Sequence, residues 1–291
     1  MGQHVGDSTS TQLSHINPNV LYECVKQGEL VKLRSNAIAS PCVRGGLRGV
    51  VQGFSNASRL RLLKWLACVS WGVVGKSLFA TFTYPDACVD SALSRRRSHL
   101  SSLHRGIERV VGKRCPALWR WEWRPRQTGT RLGEFVPHLH MLYFGCRRVP
   151  FRYVRSLWGR ILRYDLPIQI DIQACSSGEQ AASYVAKYAA KAQVVPRLDN
   201  GAYLNTLGRH HGVLRRALVP LCPVERVVGA DPVVFERCRM SSRKFGMNPI
   251  PRTSAGASFF GELGREVFAS FSETGIAIDD ETGNIMECGG R

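Results

Sequence analysis

The sequence predicts an α+β fold in which an antiparallel sheet carries its helices on one side, the split βαβ plan of ferredoxin-like domains. The stretch "ALWRWEWR", residues 117–124, alternates strictly, with Trp119, Trp121 and Trp123 on one face and Arg120, Glu122 and Arg124 on the other. The turn-rich "PRQTGTRLGE" then leads into an apolar run at 136–144, which should return antiparallel to the first strand. Around this hairpin the elements read strand, helix, strand, strand, helix, strand, helix.

Each element has its own signal. Ser55-Asn56-Ala57-Ser58 offers caps for a helix through "RLRLLKWLACVSW", with Leu60, Leu63, Trp65, Leu66 and Val69 inward and Arg59, Arg61 and Lys64 outward. A short strand, "SLFATFTYPD", ends at Pro85-Asp86. A basic helix from Asp90 to Gly112 closes on its glycine. After the hairpin come a helix over 150–163, a strand at "PIQIDIQ" and a helix over 178–192. Ser176 with Glu179, or Ser177 with Gln180, forms a capping box at the start of that last helix.

The composition bounds the function. A chain of 291 residues, 44% hydrophobic, buries one good core or a main domain with appendages. Its net charge of +18 attracts polyanions, nucleic acid first and anionic membrane second. From Gly261 to Arg291 seven acidic residues face two basic ones, a local charge of −5, so the remainder carries +23. The domain reading is an N-terminal arm over 1–54, partly disordered, a main domain with a leading helix over 55–195, a basic extension over 196–249 and a flexible acidic tail over 250–291. Ten cysteines without a CxxC argue against a zinc ribbon and a disulfide-stapled secreted fold. No signal peptide opens the sequence, and its most apolar run, 66–75, is too short to cross a bilayer, so the expectation is a cytoplasmic protein with no membrane partner.

Two motifs point to chemistry. In "FVPHLHMLYFG", His138 and His140 lie at i and i+2, on one side of an extended chain, where both imidazoles reach one ion. Taken alone, the pair is as simply a half-exposed strand. If the hairpin forms, Glu122 joins them as a third ligand, with Asp171 and Glu134 as alternative acids. The competing reading pairs Glu122 with Arg120, Arg124 or Arg131. Mixed nitrogen and oxygen ligation suits Mg²⁺ or Mn²⁺ acting as a Lewis acid on a phosphate. In "YVAKYAAK", Tyr184 and Tyr188 stand one helical turn apart, each followed after three residues by a lysine, Lys187 and Lys191. An amphipathic helix that buries tyrosines and lets lysines snorkel has the same pattern. A tyrosine hydroxyl is a poor nucleophile until a cation or base favours its phenolate, and lysines beside a metal-bound phosphate supply that field.

At these residues the sequence resembles the HUH endonucleases that initiate rolling-circle replication of single-stranded DNA phages and plasmids. "FATFTYP" is similar to their first motif, "PHLHMLYF" to the His-hydrophobe-His motif and "YVAKYAAK" to the tyrosine motif, in family order across residues 75–195. "GRHHGVLRR", 208–216, resembles a flanking segment of phage-type initiators, although His210 and His211 stand where aromatics are expected. The resemblance implies a ferredoxin- or RRM-like HUH core and a two-tyrosine nickase and ligase. Tyr184 and Tyr188 would be alternating nucleophiles supported by Lys187 and Lys191, and His138, His140 and Glu122 would hold Mg²⁺ or Mn²⁺. Arg120, Arg124, Arg209, Arg215 and Arg216 would contact DNA. The implied partners are single-stranded origin DNA and, in a bacterial cytoplasm, host helicase and DNA polymerase, since no GxxxxGK[ST] loop is present. Related readings are a transposase- or relaxase-type strand transferase and a basic single-strand-binding protein without catalysis. A metallohydrolase would need further ligands after His140.

Overall fold

The computed structural model describes residues 22–35, 56–190, 210–229, 256–272, 276–279 and 285–286. In chain order, strands β1 (Tyr22–Gln27) and β2 (Leu30–Ser35) precede helices α1 (Asn56–Ala67) and α2 (Trp71–Val74). Strand β3 (Ser77–Thr83) leads through α3 (Val89–Val111) to the hairpin β4 (Ala117–Pro125) and β5 (Phe135–Tyr143). Next come α4 (Phe151–Leu162), β6 (Ile170–Cys175), α5 (Gly178–Ala190) and β7 (His211–Leu214). The rest is β8 (Val224–Gly229), β9 (Gly256–Phe260), α6 (Gly261–Ser272), β10 (Ile276–Asp279) and β11 (Ile285–Met286). The fold is α+β, with two antiparallel sheets. Two compact units divide the chain, residues 46–221 and residues 1–45 with 222–291.

In the unit of residues 46–221 the sheet runs β6-β3-β5-β4-β7, every pairing antiparallel. Alternation sends Phe82, Trp121, Leu139, Met141 and Tyr143 to one face, where α3 covers them with Leu103 and Ile107 and α4 with Val154 and Trp158. Full burial of side chains of this size contributes about 1.5–3 kcal/mol each, so this core holds the sheet's register. The α3 helix ends at Gly112, whose φ of 74° closes the last turn in the left-handed conformation. Beyond β3, Asp86 accepts hydrogen bonds from Arg126, from Thr130 Oγ1 at 3.0 Å and from the Arg131 backbone at 3.3 Å, which ties down the β4–β5 loop.

The expectation of helices on one side only is corrected. α1, α2 and α5 pack on the opposite face through Leu62, Leu66, Val74, Ala181 and Val185, over Phe79, Leu118 and Leu142. The cause lies in the alternation itself. That face is apolar at the end holding Phe79, Leu118 and Leu142 and polar at the end holding Thr83, Glu122 and His138, and only the apolar end demands a cover. The start of α5 uses both serines: Ser177 Oγ accepts from the Gln180 backbone at 3.2 Å, and Gln180 Oε1 accepts from the Ser176 backbone at 2.8 Å.

The domain boundaries also differ from the expectation. β1 and β2 of the supposed arm pair with each other, and a six-stranded sheet of order β11-β10-β8-β1-β2-β9 joins them to the C-terminal strands. α6 packs on it, with Leu263 and Val267 against Cys24, Val31, Leu33, Val227 and Phe259. The acidic segment therefore contains an ordinary amphipathic helix, its Glu262 and Glu266 exposed and its apolar residues at helical spacing inward. The basic extension is split: β7 joins the first sheet and β8 the second. The remainder of the arm and most of the extension lie outside the described residues. Among the described residues no helix is long and apolar enough to cross a membrane.

Candidate active site

β3, β5 and β4 are adjacent inner strands, and their register decides which side chains meet. Thr81 pairs with His140 and Thr83 with His138 across β3 and β5. Across β4 and β5, Arg120 pairs with His140 and Glu122 with His138. All six side chains belong to the face opposite α3 and α4.

Each imidazole is held from β3. Thr81 Oγ1 lies 3.0 Å from His140 Nδ1, and Thr83 Oγ1 lies 3.1 Å from His138 Nδ1. On the other side of the ring, His140 Nε2 is 2.7 Å from Glu122 Oε2, while Arg124 donates to Glu122 Oε1 at 3.0 Å. The two imidazoles stack nearly parallel, centroids 6.5 Å apart.

Burial alone would favour the neutral form of Glu122, but the hydrogen bonds from His140 and Arg124 outweigh it and hold the carboxyl down at about 2. Burial pushes His138 down to about 4, with the neighbouring His140 adding to the effect, and lowers His140 against the pull of Glu122. At neutral pH the cluster is thus two neutral imidazoles and one carboxylate, the protonation states in which these groups ligate metal ions. The donor types fit a hard divalent ion. As it stands the cluster is closed by its own hydrogen bonds: among the described residues no group of three or more His, Cys, Asp or Glu is arranged to hold an ion. Holding one requires the Glu122–His140 bond to open.

The alternative acids fall elsewhere. Glu134 forms an ion pair with Arg131 at 3.0 Å. Asp171 sits opposite Thr81 on β6, where it accepts a hydrogen bond from Gln173 at 2.8 Å.

Helix α5, which carries the tyrosine pair, reaches the same neighbourhood. Tyr184 on α5 stacks on Phe79 with centroids 5.0 Å apart, and Phe79 in turn stacks on His140 at 5.9 Å. The Tyr184 hydroxyl donates to Gln173 Oε1. Tyr188 follows one turn later on α5, with Lys187 before it; the side chains of both, and the whole of Lys191 and Arg209, lie outside the described residues.

Of the expected DNA contacts, Arg124 is half-exposed beside Glu122. Arg120 is a correction: it is buried, 5% exposed, next to His140, because α1 and α5 cover the end of the sheet to which it points. Arg215 makes an ion pair with Glu108 on α3 at 3.2 Å, and the Arg216 guanidinium lies 5.5 Å over the Trp65 ring. Sequence reasoning overlooked Thr81, Thr83, Phe79 and Gln173. The signal was present in "FATFTYP", where Thr81 and Thr83 repeat with the same period as the histidines they hold.

Compared with protein-family models, with curated proteins and with solved structures, the chain matches none.

Proposed function

We propose that the chain is a nickase and ligase of single-stranded DNA, an HUH-type initiator of rolling-circle replication on a ferredoxin-like core. The observation that carries this reading is the convergence of Glu122, His138 and His140 on one sheet face, with Tyr184 joined to His140 through the ring of Phe79. The net charge of +18 supports a polyanionic substrate. Host helicase and DNA polymerase are the partners such an initiator needs.

Bound by His138, His140 and Glu122, Mg²⁺ or Mn²⁺ would polarise and orient the scissile phosphate. The chain's own residues prepare that site. Thr81 and Thr83 fix both rings, and Arg124 keeps Glu122 ionised. Gln173 holds the hydroxyl proton of Tyr184 and fixes the direction of its oxygen.

In the reaction a tyrosine hydroxyl gives up its proton and its oxygen bonds to phosphorus. The bond from phosphorus to the 3′ oxygen breaks, and that oxygen takes up a proton and leaves as a 3′-OH. The 5′ end stays on the tyrosine as a phosphodiester, so attack by another 3′-OH rejoins strands without an outside energy source. Two tyrosines one turn apart let one hold an end while the other cuts.

The test incubates the protein with Mn²⁺ or Mg²⁺ and a pool of labelled single-stranded DNA. A covalent adduct that resists detergent, is absent with a chelator and maps to Tyr184 or Tyr188 is the expected result. Binding with neither adduct nor nick on any substrate would overturn the proposal in favour of a binding protein.

A further inference from the structure

On the face opposite the histidines, along α3 and the sheet edge at β7, the larger unit carries a groove that the proposed chemistry does not use. Its wider part, about 670 Å³, is lined by five cations, Arg105, Arg109, Lys113, Arg114 and Arg215. The one carboxylate there, Glu108, is held by Arg215 at 3.2 Å and by the Cys115 backbone at 3.1 Å. Arg105, Arg109, Lys113 and Arg114 are all exposed.

A second hollow of about 330 Å³ has Arg97, Ser101, Trp119 and Leu214 in its wall. The two share the same supports, since Ser101 and Arg105 are one turn apart on α3 and Leu214 precedes Arg215. Arg97, Ser101, Arg105 and Arg109 thus form a row at four-residue spacing, about 5.4 Å per turn. The indole of Trp119 is only partly buried and lies over β7 at Gly212. A Cβ at that glycine would come within 3.0 Å of three indole atoms, so the missing side chain is what lets the ring lie there.

A row of arginines beside an aromatic face is the pairing that binds single strands: phosphates follow the cations and an unpaired base stacks on the ring. A duplex offers the cations its phosphates but keeps its bases from the indole. We infer that this groove is a second site for single-stranded nucleic acid, with phosphates along Arg97, Arg105, Arg109 and Arg114 and a base on Trp119. It would hold a strand on the side of the sheet away from the cutting site. The inference rests on nucleic acid as the ligand and not on cleavage.

The test uses the full chain, a fluorescent twenty-nucleotide oligo-dT and a duplex of equal length, with a chelator present so that no cutting occurs. The triple variant Arg105→Glu, Arg109→Glu, Arg114→Glu changes exposed side chains only, and circular dichroism checks its fold. Its affinity for oligo-dT should fall at least about tenfold, and the slope of log affinity against log salt should shrink by about 2, at about 0.7 per lost contact. Trp119→Leu should weaken oligo-dT binding roughly 5- to 100-fold with the salt slope unchanged, the loss of one stacked base. An unchanged affinity and slope in the triple variant overturns the inference. Duplex binding as tight as that of oligo-dT, with Trp119→Leu silent, overturns the single-strand assignment. Cleavage of a short substrate with Mn²⁺ should be the same in the triple variant and the parent, and a parent that binds through the groove but never cuts counts against the nickase reading alone.

Discussion

His140 and Glu122 meet at 2.7 Å, from Nε2 to Oε2, across two neighbouring strands, and the same imidazole is gripped by Thr81 on its other nitrogen. One ring therefore ties β4 to β3 from its place on β5. The arrangement leaves no polar atom of that ring idle, and it gives the threonines a role that a simple strand would not need.

Thr81→Val should remove the hydrogen bond between Thr81 Oγ1 and His140 Nδ1 and cost about 1–3 kcal/mol of stability, measured by urea denaturation, whereas Thr81→Ser should restore most of it. In Thr81→Val and Thr83→Val alike, Mn²⁺ affinity measured by calorimetry should fall about 10- to 100-fold, the usual effect of removing a group that orients a ligand. Cation affinity equal to the parent's in both would separate the threonines from the metal function.

His138→Ala and His140→Ala should each abolish adduct formation while oligonucleotide binding, read by fluorescence anisotropy, stays within about twofold. Tyr184→Phe keeps the ring on Phe79 and removes only the hydroxyl. That variant and Tyr188→Phe should each still cut once but fail to complete a cycle of cutting and rejoining, and the double variant should not cut. Adduct peptides identified by mass spectrometry decide which tyrosine carries the strand. A single variant with full cycling would make this a one-tyrosine enzyme.

Acid should unfold the larger unit through the same cluster. His138 falls from 6.5 to about 4 in the fold, so below pH 6.5 the unfolded chain binds a proton that the folded one refuses, and stability drops as pH falls from 6.5 toward 4. Glu122 falls from 4.5 to about 2; its contribution is present above pH 4.5 and is lost as pH falls toward 2. A His138→Asn variant should show a flatter melting temperature between pH 6.5 and 4 than the parent. Parallel profiles would refute the assignment.

Phe79 is 4% exposed and stands between Tyr184 and His140. Phe79→Ala should cost about 3–5 kcal/mol in chemical denaturation, the usual loss for an excised core phenylalanine. It should also reduce cleavage more than Phe79→Leu does. Equal activity in the two variants would reduce Phe79 to packing alone.

Much of this was legible in the sequence. The alternation of "ALWRWEWR" and "FVPHLHMLY" named both strands and set Glu122 beside the histidines once the hairpin closes, because a two-residue period decides which side chains share a face; the pairing of Glu122 with His138 came from the structure. The same alternation misled at Arg120: period tells which face a residue is on but not what covers that face, and α1 and α5 arrive from distant segments. The second sheet was illegible for a related reason. β1 and β2 form a local hairpin, but their outer neighbours β8 and β9 lie about 200 residues away, as in Glu23 opposite Val228, and no local pattern announces such a pairing. The acidic count from Gly261 to Arg291 looked like a solvated tail, when Leu263 and Val267 already marked the buried stripe of a helix.

The interleaving of the site with the core along β5 has a consequence for quality control. His138, Leu139, His140 and Met141 alternate between the two faces, so a slip of one residue would turn the histidines into the core and Leu139 and Met141 out of it. A chain that has mispaired these strands therefore loses the cluster of Glu122, His138 and His140 altogether. On the proposed function, strand scission would report correct folding, and a basic chain that met DNA before its strands had paired would be chemically harmless.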